Sequence, residues 1–346
     1  MSVPKRPRRC RPRSRSLGSV CVAATLAAGL LGALLSLAPA PVWAQAGTLA
    51  VEEGEDILVG AQAKEALIAF TNFVIGPGIP GTRLAVNRGG GRSDERLSIL
   101  KGSLQPEFDL PSDRWRLRLD GGLGYVAAST PIDVSNGTEP VRFDTERQLL
   151  SGRIGAGGSW QWFEHIDVRP MLSVAVSRIE STADTEGLVP FTRASQADLV
   201  DWRVNVASIF GSLEIDYDQF WGDTRWEVIG TYSHGYHRSY DASKSFIEFS
   251  GHTDTVGALV RRSAYTGTQL FSFPLDWNAF ASYTGFIGLD SEVLGFNSLI
   301  SVGAGLDLRV QKRPFGIGDL RTVGLNISAV LGENVAGGTI GISFRN

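Results

Sequence analysis

The stretch Leu100–Ala127 alternates between apolar and polar side chains over two segments of ten or more residues each. The first segment ends at Leu110, and a Pro-Ser-Asp turn at 111–113 separates it from the second. A period of two places alternate side chains on opposite faces of a β-strand. Strands of soluble proteins have about five or six residues, whereas a tilted strand that crosses a bilayer needs about ten. The stretch therefore predicts a hairpin of two membrane-spanning strands.

The same alternation recurs toward the C-terminus, most clearly in Asn297–Val310 and Val323–Leu331. We count eleven strands from Leu97 onward. Bacterial barrels have an even number of strands with both ends of the chain on the periplasmic side, so we expect a twelfth strand before Leu97. Thr82–Val86 has the pattern of a short strand, and the N-terminal segment (45–80) is either a helix or the first strand. The predicted fold class is all-β, a transmembrane antiparallel up-and-down β-barrel of about 12 strands.

Interruptions of the pattern predict the connections. The side-chain parity changes within Val200–Tyr217, which predicts a β-bulge near Gly211. Glu164-His165 and Pro274–Asp276 predict tight turns. Short turns alternate with long connections, as periplasmic turns and extracellular loops do in such barrels. We expect the long polar loops at Ser129–Thr145, Glu180–Asp198 and His234–Thr253.

The first 44 residues predict a secretory signal peptide. Met1–Ser16 carries seven basic and no acidic residues, an apolar run follows, and the small residues Val42 and Ala44 suit cleavage before Gln45. The alternative is a transmembrane anchor, which the lack of a charged stop-transfer flank disfavours. We divide the chain into the signal (1–44), an N-terminal segment (45–80) and a barrel (81–346).

Cleavage changes the composition. Removing seven basic residues from 33 Lys and Arg leaves 26 against 36 Asp and Glu, a net charge of −10. This excludes the basic surface that nucleic-acid binding needs. Both cysteines, Cys10 and Cys21, lie in the predicted signal, so we expect no disulfide, no zinc-thiolate site and no cysteine nucleophile in the mature chain. No motif predicts another metal site or a cofactor.

Charged residues on the non-lipid face of the strands would line the lumen. Mixed signs there are able to pair across the barrel, so the lining either conducts small solutes or is locked shut by its own ion pairs. The predicted pore-lining residues are Lys101, Glu107, Arg116, Arg118, Asp120, Arg147, Arg153, Asp307 and Arg309.

Tryptophans cluster beside the predicted short turns. An indole has an apolar body and one N–H donor, a combination that favours the membrane–water interface. We therefore predict a single ring at the periplasmic interface, made of Trp115, Trp160, Trp162, Trp221, Trp226 and Trp277.

The segment Tyr232–Ser239 contains Ser233, His234 and His237 and supports an alternative function. A serine next to a histidine base is the arrangement of an outer-membrane lipid hydrolase. The competing interpretation is an aromatic girdle with polar loop residues, and it leads us to expect no catalytic residues and no enzyme. A soluble secreted β-sandwich is a third possibility.

The last strand, Thr339–Asn346, has alternate apolar residues and ends in Phe344-Arg345. It resembles the terminal strand of autotransporter barrels, although Asn346 replaces the usual final aromatic residue. Together with Thr266–Phe271, the predicted signal and the barrel, this makes the chain similar to the solitary, passenger-less autotransporter-like barrels. The resemblance covers most of residues 60–346. We also expect no passenger, because fewer than 50 residues separate Gln45 from the first sure strands.

The resemblance implies a function and partners. It implies an integral protein of the outer membrane of a Gram-negative bacterium, acting as a pore or as a surface-exposed membrane protein. Its partners would be outer-membrane lipid and lipopolysaccharide, and no nucleic acid. The barrel-assembly machinery would recognise Ile340, Ile342 and Phe344 as the assembly signal.

The N-terminal segment allows two structures. Acidic residues at 52–56 favour a helix start, and Ala63, Leu67, Phe70 and Val74 share one helical face, but residues 67–75 also alternate as a strand does. If Ala63–Ile75 is a helix, we expect it in or beneath the lumen, as in translocator barrels.

Overall fold

A computed structural model describes residues 56–75, 82–87, 94–111, 114–135, 140–184, 201–288, 296–310, 322–333 and 335–345. All of them belong to one compact unit, Gln45–Asn346. The predicted signal peptide (1–44) lies outside the described residues, as do the start of the N-terminal segment, the core of the predicted loop Glu180–Asp198 and the side chain of Phe344.

The described residues contain a helix, α1 (Asp56–Ile75), and thirteen strands. The strands are β1 Thr82–Asn87, β2 Asp94–Leu104, β3 Glu107–Asp109, β4 Trp115–Ser135, β5 Pro140–Phe163, β6 Ile166–Asp184, β7 Trp202–Trp221, β8 Thr224–Ala242, β9 Ser250–Leu270, β10 Phe273–Ile287, β11 Ser298–Arg309, β12 Thr322–Gly332 and β13 Val335–Arg345.

The strands form a closed antiparallel barrel. Each strand from β4 to β13 pairs with the next in sequence, β13 pairs with β1, β1 with β2, and β2 with β4. β2 and β3 lie along the same neighbour, β4, and are separated at Pro106, which has no N–H for the ladder. The Pro106 carbonyl still accepts a bond of 3.0 Å from the Leu119 N–H. Counting β2 and β3 as one strand, the described residues form the predicted twelve-stranded barrel.

The two ends of the barrel differ in their connections. The short-turn end carries the two-residue turns at 164–165, 222–223 and 271–272, and the long-loop end carries the connections at 185–201, 243–249 and 288–297. By the usual topology of such barrels the short-turn end is periplasmic and the long-loop end is extracellular. The connection at 310–321 is long for its end, and the one at 333–334 is short.

The predicted hairpin has the predicted faces. Leu100 and Leu123 are 71% and 72% exposed on the outer wall, whereas Val126 and Asp120 on the same hairpin are buried inside. The alternation continues in β6, with Leu172 outward and Ser173 inward. One wall of the sheet is thus apolar and faces outward, and the other faces the lumen.

The predicted bulge near Gly211 is wrong. β6 and β7 pair without a shift from Trp202 to Tyr217, and the shift between β7 and β8 falls at Asn205/Val206. The parity of the apolar residues changes because Val206 and Phe210 are buried inside the barrel. Their apolar side chains face other protein groups rather than lipid.

Two predicted loops and one turn are also corrected. β4 and β5 run through most of Ser129–Thr145, leaving 136–139 between them, and β8 and β9 occupy most of His234–Thr253. The turn predicted at Pro274–Asp276 lies at Phe271-Ser272, where both residues have positive φ. These strands continue well beyond the ten or so residues that a membrane crossing needs. Their ends are polar because they extend past the membrane, and this composition led to the prediction of loops.

The open alternative for the N-terminal segment is settled in favour of a helix, and α1 lies inside the barrel. It contacts β4 and β5 on one side of the barrel. On the other side it contacts β9, which is five strands from β4 in the order of the sheet. Ile68 lies near Gly251 at the start of β9, and Ile75 meets Arg153 near the middle of the barrel. The helix therefore runs from the long-loop end inward.

No helix in the described part of the chain combines the length and the apolar composition needed to span a membrane.

The long-loop half of the lumen is an apolar core around α1. Phe73 of the helix packs against Phe286 at 5.8 Å and Phe296 at 5.7 Å between ring centres. Asn72 donates a bond of 2.9 Å to the Thr255 hydroxyl. The wall contributes further buried apolar side chains, among them Ile99, Val126, Leu149, Ile179, Val204, Val206, Leu299 and Val330.

Substitution of Gly124 tests whether α1 packs against the inner face of β4. A Cβ at this inward position would lie 2.6 Å from Val74 Cγ1 and 2.9 Å from Ser151 Oγ, so Gly124→Val has to displace the helix. Gly121→Val is the matched control, because Gly121 has open space around it on the same strand. We expect at least tenfold faster amide hydrogen exchange across residues 64–75 in Gly124→Val alone. Equal protection in the two variants would contradict this seat.

Candidate functional site

The short-turn half of the lumen holds a belt of charged side chains below α1. Arg169 of β6 is its most connected member. Its guanidinium lies 2.8 Å from Glu214, 2.7 Å from Asp216 and 3.4 Å from Asp167, and its Nε lies 3.6 Å from Glu107. β3, β6 and β7 supply these carboxylates, so one arginine joins three segments of the wall.

Two arginines of β4 extend the belt. Arg116 lies 3.0 Å from Glu107 and 3.0 Å from Asp167. Arg118 lies 2.9 Å from Glu214, which is 96 residues further along the chain, and it also donates to Gln105. The alternation of β4 puts both arginines on the inner face, and the closed sheet brings the distant carboxylates within reach.

Arg153 links the belt to the helix. Its Nε lies 2.6 Å from Asp120, and its Nη1 donates to the carbonyl of Ile75, the last residue of α1. The final carbonyls of a helix have no partner within the helix, and a cation is favourable at its negative end. Arg153 therefore satisfies the helix terminus and fixes its depth in the lumen.

The opposite wall repeats the arrangement. Arg261 pairs with Glu227 at 2.8 Å, and Arg309 pairs with Asp276 at 2.5 Å. Asp307 is fully buried and accepts a bond of 2.9 Å from Asn278. Paired charges of this kind are costly to separate, because removing one partner leaves an uncompensated buried charge.

The nine predicted pore-lining residues all belong to the inner face. Seven of them, Glu107, Arg116, Arg118, Asp120, Arg153, Asp307 and Arg309, are in the belt. Lys101 lies next to it, opposite Gly124, and Arg147 lies nearer the long-loop end, opposite Ser181.

Sequence reasoning missed several members of the belt. Glu214 and Asp216 alternate with the outward Leu213 and Ile215, a signal hidden by the supposed bulge at Gly211. In β8, Glu227 lies between the outward Trp226 and Val228 and was detectable in the same way. Asp167 and Arg169 lie on the face of β6 that its alternation predicts to be inward, but neither is among the nine residues predicted to line the pore. The further missed members are Arg261 and Asp276.

The six tryptophans predicted as an interface ring lie near the short-turn end. Trp115 stacks on Trp160 at 5.7 Å between ring centres, and Trp160 on Trp162 at 6.2 Å. Trp221 and Trp226 lie 5.4 Å apart. Trp277 lies on β10, three residues after the Pro274 position. Their place at a membrane interface stays a prediction.

The histidines of the hydrolase alternative face opposite sides of the wall. His237 is fully buried in the lumen, with Nδ1 2.9 Å from the Ser208 hydroxyl and Nε2 2.8 Å from the Thr253 hydroxyl. His234 lies on the outer wall, 2.9 Å from Asp254, whereas Ser233 points inward. Ser233 and His234 therefore cannot act together, and the site does not support a lipid hydrolase.

The C-terminal strand, β13, carries the residues predicted as the assembly signal. Ile340 and Ile342 are exposed on the outer wall, with β13 paired between β12 and β1. An assembly factor that reads this strand would meet these two side chains from the lipid side.

Residues 93–346 match the family model of the solitary outer membrane autotransporter β-barrel domain. The chain belongs to this family. Autotransporter barrel domains reside in the outer membrane, so this is an autotransporter-like outer-membrane barrel. A comparison with curated proteins finds no match.

Two solved structures are similar to this solitary barrel domain. The β domain of the Bordetella autotransporter BrkA is 15% identical, with 76% of this chain and 93% of that chain covered and a TM-score of 0.44. The translocator domain of NalP from Neisseria meningitidis is 13% identical, with 84% and 98% covered and a TM-score of 0.45.

Replacement of Arg169 tests the belt. Arg169→Gln leaves Asp216 without an ion-pair partner among the described residues and leaves Glu214 with Arg118 alone, so we expect the free energy of unfolding to fall by about 3–5 kcal/mol. Arg178→Gln is the control, because the Arg178–Glu180 pair is exposed and such pairs contribute about 0–1 kcal/mol. Urea unfolding in phospholipid vesicles, followed by tryptophan fluorescence, measures both. Equal losses would contradict the assigned role of the belt.

Proposed function

We propose that this chain is an outer-membrane barrel closed by its own helix α1, which directs the preceding segment to the cell surface. The observation that carries the proposal is the position of α1 in the lumen. Residues 67–69 and 71–75 are buried, and the helix starts at the long-loop end. Whatever precedes Asp56 is thereby delivered to that side of the membrane.

Closure is supported at two levels. In the long-loop half, Phe73 and its aromatic partners fill the space between helix and wall. In the short-turn half, the belt projects into the lumen and joins β4 to β7, three strands apart, through Arg118 and Glu214. A solute would have to displace the apolar packing and then separate paired charges, so the locked alternative for the pore-lining residues is favoured over the conducting one.

The contacts of the two histidines favour a barrel without enzymatic activity. His237 uses both ring nitrogens to bind Ser208 and Thr253, and His234 has no serine on its own wall among the described strand neighbours. The two histidines are better explained as structural groups.

Export and assembly complete the proposal. Residues 1–44 serve as the cleaved signal peptide, and the barrel-assembly machinery recognises β13 through Ile340, Ile342 and Phe344. The outer wall meets outer-membrane lipid and lipopolysaccharide, and the tryptophan ring lies at the periplasmic interface.

Planar-bilayer conductance tests the closure. We expect little conductance from the intact chain and at least a severalfold higher conductance after deletion of residues 56–75, because the helix no longer fills the lumen. A synthetic peptide of residues 56–75 should restore closure, and a scrambled peptide should not. A large steady conductance of the intact chain would contradict the proposal.

Epitope tags test the direction of α1. A tag inserted after Glu53 should bind antibody on intact cells, because the segment before α1 leads to the long-loop end. A tag in the 222–223 turn is the control, and it should bind only after the outer membrane is permeabilised. The reverse pattern of accessibility would contradict the assigned orientation.

A further inference from the structure

β9 carries two consecutive arginines that face opposite sides of the wall. Arg261 points into the lumen and pairs with Glu227 at 2.8 Å. Arg262 is exposed on the outer wall. No carboxylate among the described residues lies within 4.0 Å of its guanidinium, so the charge of Arg262 lacks the compensation that Arg261 receives.

Two tryptophans hold the Arg262 guanidinium. Its Cζ lies 5.4 Å from the ring centre of Trp226 and 5.8 Å from that of Trp277. Trp226 is the direct partner of Arg262 on β8, and Trp277 lies on the other neighbour, β10, two residues from the partner Ala279. Contacts between a cation and an aromatic face stabilise this position and limit the orientations of the planar fork.

The surrounding wall is apolar. Along the outer face the neighbours of Arg262 include Val228, Val260 and Ala279, whereas the nearby carboxylates Glu227 and Asp276 point into the lumen. An arginine on the lipid face is destabilising by about 2–4 kcal/mol at the bilayer midplane and by about 0–1 kcal/mol near the interface. A group from the membrane itself is therefore the natural counter-charge.

We propose that Arg262, with Trp226 and Trp277, binds the phosphate of a phospholipid in the leaflet at the short-turn end. The guanidinium presents two parallel N–H donors that match phosphate oxygens, and indole rings favour the same depth at the membrane interface. The acyl chains lie along Val228 and Val260 on the outer wall. The site is independent of the closure of the lumen.

Lipid binding to the purified full-length barrel in detergent tests this site. Native mass spectrometry would be used to titrate phosphatidylglycerol and a diacylglycerol with the same chains but no phosphate. We expect the intact chain to bind phosphatidylglycerol, Arg262→Gln to bind it at least tenfold more weakly, and Arg262→Lys to fall between them, because a charged bidentate contact is lost or reduced. Arg178→Gln, which removes an exposed arginine paired with Glu180, should bind like the intact chain.

Three results would overturn the proposal. They are unchanged binding in Arg262→Gln, equal binding of diacylglycerol by the intact chain, and complete displacement of the lipid by inorganic phosphate, which would indicate a free-anion site. If Arg262→Gln does not fold, Trp277→Leu keeps the charge and removes one ring, and a severalfold loss of phosphatidylglycerol binding is then expected. Because none of these readouts depends on conductance, failure of this site is distinguishable from failure of the closed-lumen proposal.

Discussion

Inside a bilayer, every backbone N–H and C=O has to find its partner within the protein. Here the requirement is met by the pairings that close the sheet, β13 with β1 and β2 with β4. Closure joins the two ends of the sheet, with β1 pairing with Val335–Thr339 of β13 and Asp94–Ile99 of β2. It also divides the side chains of the strands between a lipid-facing wall and a lumen. The outward Leu100 and Leu123 and the inward Asp120 belong to one hairpin and show this division. The helix α1 and the charged belt both occupy the lumen that closure creates.

The lumen is filled in two chemically different ways. Around α1 the wall turns apolar, and residues such as Phe73 and Val204 pack there as in the core of a soluble protein. Toward the short-turn end the wall carries the belt, in which Arg169 joins carboxylates from separate strands. Arg153 connects the two regions, since it binds both Asp120 and the last carbonyl of the helix. The helix is therefore held by apolar packing of residues 67–75 and by one cation at its end.

The alternation of apolar and polar residues predicted much of this fold. It failed where the outer face of a strand is no longer apolar and the inner face no longer polar. The strands of the opening hairpin contrast an apolar wall with a charged one, so their faces were predicted correctly. In β7 the contrast reverses near the long-loop end, because Val204, Val206 and Phe210 face the lumen while Arg203 and Asn205 lie on the outer wall. This reversal has the same sequence pattern as a bulge, and a bulge was wrongly predicted at Gly211. Residues 67–75 of α1 are buried almost all round, so their pattern did not distinguish a helix from a strand.

The sequence predicted which charged residues face the lumen, but it did not predict which of them form ion pairs. Alternation placed Arg118 on the inner face, but its partner Glu214 is 96 residues away and is brought close only by the tertiary register. The same limit applies to Arg153, whose acceptor on Ile75 exists only once α1 has entered the lumen. Sequence alone therefore left open whether the lining conducts or is locked, and the contacts between wall and helix favour the locked state.

A disulfide between α1 and β9 tests the central claim most directly. Asn72 Nδ2 and Thr255 Oγ1 lie 2.9 Å apart in the lumen, and both cysteines of the chain lie in the predicted signal peptide. The variant Asn72→Cys with Thr255→Cys should cross-link on mild oxidation of outer membranes, as shown by altered gel mobility that reductant reverses. Free thiols at both positions under these conditions would show that α1 does not occupy the lumen, and would contradict the account.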